Sequence, residues 1–284
     1  MSRKRYIWKL REREITLGDH TIIVGVLNVT PDSFSDGGKY EDPDRALLRA
    51  IELEEQGADI IDVGAESTRP NSQRVSEAEE LRRLVPVLKR LRGQLSIPIS
   101  VDTYKSAVAE KAISYGAEII NDPSALTFDP ALAKIATKYD AGLILNHMRG
   151  TPETWARMPP FKDPLTAISN DLGACVHRAI QAGVDKARLV IDPGLGFGKR
   201  KDENWEIIAR LSQLQRLDIP LLVGPSRKSF LQQSTDDGTL VAGVAAVTAA
   251  ILAGAHMIRV HDVKEMVIAA RAADAVLRNS ATGV

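Results

Sequence analysis

The sequence predicts an α/β fold: one (β/α)8 TIM barrel with a short N-terminal extension. Three observations predict it. Eight short β-branched runs recur along the 284 residues, each closing in a polar or glycine-rich turn. Helical patterns lie between them, and no shift in composition marks a second domain. Near-continuous apolar runs of this length suit strands buried on both faces, the condition of a parallel sheet. Eight strand–helix units in about 250 residues is the usual size of such a barrel. The runner-up, an open doubly wound sheet, usually carries about six strands.

Taken in order, residues 1–20 precede the pattern and are expected to cap the barrel bottom, leaving 21–284 as the barrel. The strand runs are TIIVGVLN (21–28), ADIIDVG (58–64), IPISVD (97–102), AEIIND (117–122), AGLILNH (141–147), RLVIDPG (188–194), IPLLVG (219–224) and HMIRVHD (256–262). Between them, PDRALLRAIELEEQG (43–57) and KSAVAEKAISYG (105–116) read as helices ending in glycine caps. The last helix is read over KEMVIAARAADAVLR (264–278).

Composition narrows the function. Apolar residues make up 44% and charged residues 26%, ordinary for a globular protein, and acids and bases balance at 37 each. That balance leaves no global field to recruit nucleic acid or an anionic membrane. The single Cys175 excludes an intramolecular disulfide and fits a reducing compartment. The N-terminal MSRKRYIWKLRERE has no apolar core of signal-peptide length. The longest apolar tract, 241–258, is interrupted by Gly243, Thr248, Gly254 and His256; it reads as a helix running into a strand. The expectation is a soluble cytoplasmic protein.

In a barrel of this kind, side chains at the C-terminal ends of the strands form the site. Here those ends carry Asn28; Glu66, Ser67, Thr68, Arg69 and Pro70; Asp102; Asn121 and Asp122; Asn146 and His147; Asp192; Ser226, Arg227 and Lys228; and Arg259 with His261. Asp and Asn alone would serve as turn or cap residues. So many polar groups around one concave mouth need a ligand, water or one another. Asp102, Asn121, Asp192 and Lys228 suit a flat heterocycle with several N–H donors and a carbonyl. The glycines of IDPGLGFGK let backbone approach a planar ring, and Phe197 can pack on it. Arg69, Arg259 and His261, with Ser67, Thr68 and Asn28, describe a phosphate or pyrophosphate site. Asn28 offers a neutral oxygen to a hard cation such as Mg2+. Left open are ion pairs from Arg69 or Arg259 to Glu66 or Asp262, and a capping role for His261 and Asp262. Zinc and nucleophile-elbow patterns are lacking.

The segments GVLNVTPDSFSDGG, ADIIDVGAESTRP, ISVDTYKS, GAEIIND, IDPGLGFGK, VGPSRKSF and IRVHDV together resemble the dihydropteroate synthase family, in order and over almost the whole chain. The resemblance implies a transferase of folate biosynthesis, a homodimer as members of the family usually are, in a family where sulfonamides compete with para-aminobenzoate. It would join 6-hydroxymethyl-dihydropterin pyrophosphate to para-aminobenzoate with loss of pyrophosphate. It assigns Asp102, Asn121, Asp192 and Lys228 to the pterin; Arg259, His261 and Asn28 to pyrophosphate, with Mg2+ at Asn28; Thr68, Arg69 and Pro70 to a second loop near both substrates; and Ser229 to the para-aminobenzoate carboxylate. The stretch NVTPDSFSDGGKY (28–40) would then be a lid. Phe34 would wall the para-aminobenzoate site, and Asp36 would set a negative charge near a developing cation.

The chain departs from the family pattern at Pro123, at Asn146 (often a methionine), at Pro225 and over 238–246. Rival readings are a pterin-binding methyltransferase on a related barrel, a non-catalytic pterin-binding paralogue, and an aldolase using Lys228.

Overall fold

The computed structural model describes residues 3–29, 43–67, 72 and 74–280. An antiparallel hairpin, β1 (Tyr6–Lys9) and β2 (Glu14–Leu17), opens the chain. The barrel strands follow: β3 (Ile22–Asn28), β4 (Ile60–Gly64), β5 (Ile99–Asp102), β6 (Ile119–Asp122), β7 (Gly142–Asn146), β8 (Leu189–Asp192), β9 (Leu222–Val223) and β10 (Met257–Val260). The helices are α1 (Pro43–Glu55), α2 (Glu77–Leu91), α3 (Ser106–Ser114), α4 (Leu132–Lys138), α5 (Pro164–Gln181), α6 (Lys201–Ala209), α7 (Asp236–Leu252) and α8 (Val263–Ser280).

All eight barrel strands are parallel, in the order β8-β7-β6-β5-β4-β3-β10-β9. A parallel bridge between Ile191 and Leu221 closes the ring, and Ile191 N–H donates to the Pro220 carbonyl at 3.0 Å. The fold class expected from the sequence is therefore observed. The seventh run is cut to two residues, and the N–H of Leu221 just before them donates to the His256 ring at 3.1 Å instead of to a strand carbonyl.

The double-sided apolar character of the strands has a direct cause. One set of alternate residues, including Ile23, Ile61, Val101, Leu143 and Ile258, joins two clusters that also contain the helix residues Leu53, Leu88 and Ile168. The other set, Ile22, Val24, Ile60, Ile119, Ile144, Val190, Leu222 and Met257, forms a third cluster inside the barrel. Trp8, Leu10 and Leu17 of the N-terminal segment belong to that inner cluster, so the hairpin seals the end of the barrel where the strands begin. Arg3, buried, reaches Asp274 of α8 at 2.5 Å and Thr21 at 2.7 Å, tying the extension to the last helix.

Moving up the same inward set, the chemistry changes abruptly. After Val24, Ile60, Ile119, Ile144, Val190 and Met257 come Val26, Asp62, Asn121, Asn146, Asp192 and Arg259. The register pairs Asp62 with Ser100, Asp102 with Asn121, and Asn146 with Asp192. On each of these strands the polar residue follows the apolar one toward the C-terminal end, so the polar set lies on the mouth side of the plug.

Candidate active site

Strand parity decides which strand-end groups enter the mouth, because successive side chains leave a strand on opposite faces. Asp102, Asn121, Asn146, Asp192 and Arg259 share the inward parity. Asp122 and His147 have the other. Asp122 instead accepts hydrogen bonds from Ser124 N–H at 2.8 Å, the Ser124 hydroxyl at 2.8 Å and Leu126 N–H at 2.5 Å, bracing a loop in which Ala125 and Leu126 both have positive φ. His147 pairs with Asp171 at 3.1 Å and lines a separate cavity of about 490 Å³ with Cys175 and Arg178.

Arg259 is the centre of the mouth. Its Nε donates to Asp62 at 2.6 Å and its Nη2 to Asp102 at 2.7 Å, while Asn121 Nδ2 donates to the same Asp62 oxygen at 3.0 Å. Burial works against the Arg259 charge, but Asp62 and Asp102 more than offset it and raise its pKa. Arg259 thus joins the two groups that sequence reasoning separated. Of the alternative ion pairs, Asp262 goes to Arg227, and Glu66 goes to Lys105 at 2.5 Å and to the Tyr104 hydroxyl at 2.9 Å.

Asp192 and Lys228 face the same space. A side chain at Gly224 would come within 3.9 Å of Asp192 Oδ2 and 3.5 Å of Arg259 Cβ, so that glycine keeps the ground between them open. Asp192 accepts from Gly194 N–H at 2.7 Å, and burial raises its pKa against the pull of Lys228. Burial lowers the Lys228 ammonium to about 8 despite Asp192. Lys228 donates to the Leu195 carbonyl, and its Nζ stands 4.3 Å from the Phe197 ring centroid. Gly196, at φ +79°, is needed there: a Cβ would lie 2.9 Å from Lys228 Cδ. Phe197 is held edge-on by Trp155 at 5.5 Å.

His261 stands at the rim. Its Nδ1 is 3.1 Å from the Ser226 hydroxyl, and Asn28 Nδ2 is 3.4 Å from its Nε2. With Asn28 donating to Nε2, Nδ1–H donates to Ser226, and the Asn28 amide oxygen accepts no hydrogen bond among the described residues. That oxygen fits a hard cation whose remaining ligands come from a polyanionic substrate and water. No cluster of three His, Cys, Asp or Glu capable of holding a metal alone occurs among the described residues.

Ser229 follows Lys228 in a short 3-10 turn and is exposed. Phe34, Asp36, Thr68, Arg69 and Pro70 lie outside the described residues. Sequence reasoning missed Asp62 and gave Ser226 no partner. Asp62, flanked by Ile61 and Val63 inside the apolar run ADIIDVG, was the available signal, since a buried charge demands a partner.

A parallel barrel with this polar layer at its C-terminal mouth is the architecture of a pterin-binding enzyme. The family described as Pterin binding enzyme matches residues 24–261. The dihydropteroate synthase of Clostridium beijerinckii is 41% identical over 274 residues, 95% of this chain and 99% of that one. Among solved structures, a dihydropteroate synthase from Clostridium difficile, determined in the presence of pteroic acid, matches with a TM-score of 0.86 and 41% identity over 92% of this chain and 98% of that one. The Yersinia pestis dihydropteroate synthase in complex with a sulfonamide drug gives 0.88 and 39% over 96% and 99%. The chain belongs to the dihydropteroate synthase family.

Proposed function

We propose that the protein condenses 6-hydroxymethyl-dihydropterin pyrophosphate with para-aminobenzoate, releasing pyrophosphate and forming dihydropteroate. The observation that carries this reading is the convergence of Asp102, Asn121, Asp192 and Lys228 with Arg259 and His261 on one mouth. The carboxylates and the amide accept from the ring amino and N–H groups, and Lys228 donates to the ring carbonyl. Arg259 has its Nη1 and its second Nη2 N–H left over from the two carboxylates and turns them toward the pyrophosphate; His261, in the tautomer that accepts the Ser226 hydroxyl at Nδ1, gives its Nε2–H to the same anion in place of its contact with Asn28.

The C–O bond to pyrophosphate breaks first, leaving a methylene cation conjugated with the ring, in a dissociative displacement. Asp102 and Asp192 offset the electron deficiency of the ring, while Arg259 and His261 hold the departing anion where charge accumulates. The Asn28 amide oxygen would hold Mg2+, and the ion when bound would supply further neutralisation of that anion. The amine of para-aminobenzoate is already nucleophilic, so its attack requires no strong base; its proton leaves to solvent. Arg69 with Thr68 and Pro70, the lid residues Phe34 and Asp36, and Ser229 complete the proposed substrate contacts and exclude water.

The enzyme is proposed to act as a cytoplasmic homodimer. Val241 on α7 and Ile268 and Val276 on α8 are 67%, 64% and 57% exposed, which supports an apolar pairing face. Among the described residues no helix is long and apolar enough to cross a membrane. Incubating the pure protein with both substrates and Mg2+ tests the reading: dihydropteroate and inorganic pyrophosphate should appear in equal amounts, and their absence would overturn it.

A further inference from the structure

Asp62 is fully buried and contacts none of the space a substrate would enter. Its Oδ2 receives both Arg259 Nε and Asn121 Nδ2, while its Oδ1 has no hydrogen-bond partner among the described residues. Everything this carboxylate does is therefore directed at two groups of the mouth. A buried carboxylate with so little other bonding is costly to hold as mere scaffold.

We propose that Asp62 is a positioning residue for the transfer reaction, fixing the Arg259 guanidinium and the Asn121 amide in the single orientation that meets the substrate. This rests on the functional reading above. The geometry gives two consequences. A guanidinium is a rigid fork, so holding Nε on Asp62 and Nη2 on Asp102 fixes the plane of the whole group and leaves the two Nη1 hydrogens and the second Nη2 hydrogen to face the anion. An amide can flip end for end, and its ends differ chemically. With Nδ2 committed to Asp62, Asn121 turns Oδ1 away from it, as an acceptor for a ring N–H.

Asp62→Asn keeps the volume and removes the charge. In that variant Arg259 loses one prong and the Asn121 amide is no longer oriented. Affinity for pteroic acid and for inorganic pyrophosphate, read by titration calorimetry, should each fall about 10- to 100-fold. The melting curve should stay cooperative.

A readout that bulk structural damage would not give is the pH dependence of pteroic acid binding. Asp102 is raised by burial, lowered by Arg259, and raised again by Asp62, Glu80 and Glu66. Removing the Asp62 charge should move the acid limb set by Asp102 to lower pH. A folded variant with wild-type affinities for both ligands, or with an unmoved acid limb, would overturn the proposal.

The wild-type protein provides the second measurement, needed if Asp62→Asn does not fold. The Arg259 Nε–H proton, assigned by its loss in Arg259→Lys, should be protected from exchange before any ligand is added. Free exchange would sink the proposal. This measurement does not depend on turnover. Failure of the wild type to bind pteroic acid or form dihydropteroate would count against the assigned reaction, while the exchange result would still decide the Asp62 clamp.

Discussion

The side-chain amide of Asn146 donates to the backbone carbonyl of Pro123 at 2.9 Å, joining the C-terminal ends of β7 and β6 at the mouth. Two departures from the family pattern are thus one feature. Asn146 is 4% exposed, and a Cβ on Gly194 would lie 3.1 Å from its Oδ1, so the glycine leaves room for the amide in this orientation. Asn146→Ala strands the Pro123 carbonyl in a buried site and opens a small void. The expected cost is about 1–3 kcal/mol of unfolding free energy, read from urea denaturation. Unchanged stability would mean that the pair contributes nothing.

Lys228 gives a pH test with two opposite signs. Its ammonium is lowered to about 8 from 10.5, first by burial and against the pull of Asp192. Pteroic acid affinity should therefore weaken as pH rises through about 8, where the donor loses its charge. Stability moves the other way. Between about 8 and 10.5 the unfolded chain holds a proton that the native state lacks, so the contribution of this group to unfolding free energy rises with pH. Lys228→Met should bind more weakly at pH 7 and lose both trends. Persistence of the pH 8 binding limb in that variant would assign it to another group.

How much of this was readable beforehand depends on burial. The barrel was legible because its strands are apolar on both faces, which sets them apart from half-exposed strands. That same property erased the alternation that tells inside from outside. Asn121 and Asp122 looked equivalent at a strand end, as did Asn146 and His147, although a step of one residue sends the second of each pair away from the mouth. Asp62 stayed hidden because a strand-end search stops two residues above it. The partition into a ring-binding set and an anion-binding set was too clean: Arg259 and Asp102, assigned to different ligands, bond to each other. The hairpin in the extension carried no Asn-Gly or similar turn to betray it. Its connection is Leu10–Arg-Glu–Arg13, closed by Leu10 N–H to the Arg13 carbonyl at 2.8 Å.

Arg3 and Asp274 form a buried pair at 2.5 Å, reinforced by Arg3 to the Thr21 hydroxyl at 2.7 Å and by Thr21 N–H to Asp274 at 2.8 Å. Burial lowers the Arg3 pKa, with Asp274 the largest opposing influence, so the pair depends on both members. Removing one leaves the other charge uncompensated. Asp274→Ala should destabilise the fold by about 3–5 kcal/mol, whereas replacing both by apolar residues of similar size should cost much less. Equal losses in the single and double variants would show that packing, not charge, holds this corner.

Trp8 separates stability from chemistry. Its side chain is fully buried in the apolar plug, its indole N–H donates to the Arg188 carbonyl at 2.9 Å, and a Cβ on Gly142 would lie 3.0 Å from its ring. Trp8 enters the plug from the end of the barrel where the strands begin, opposite the polar mouth. Trp8→Ala should therefore cost about 3–5 kcal/mol of stability through the cavity it leaves. Pteroic acid affinity at a temperature where the variant remains folded should stay within about twofold of wild type, because additivity holds for sites that share no partners. A matching collapse of ligand affinity would mean that the plug and the mouth are mechanically coupled through the strands, and that the N-terminal hairpin takes part in shaping the site.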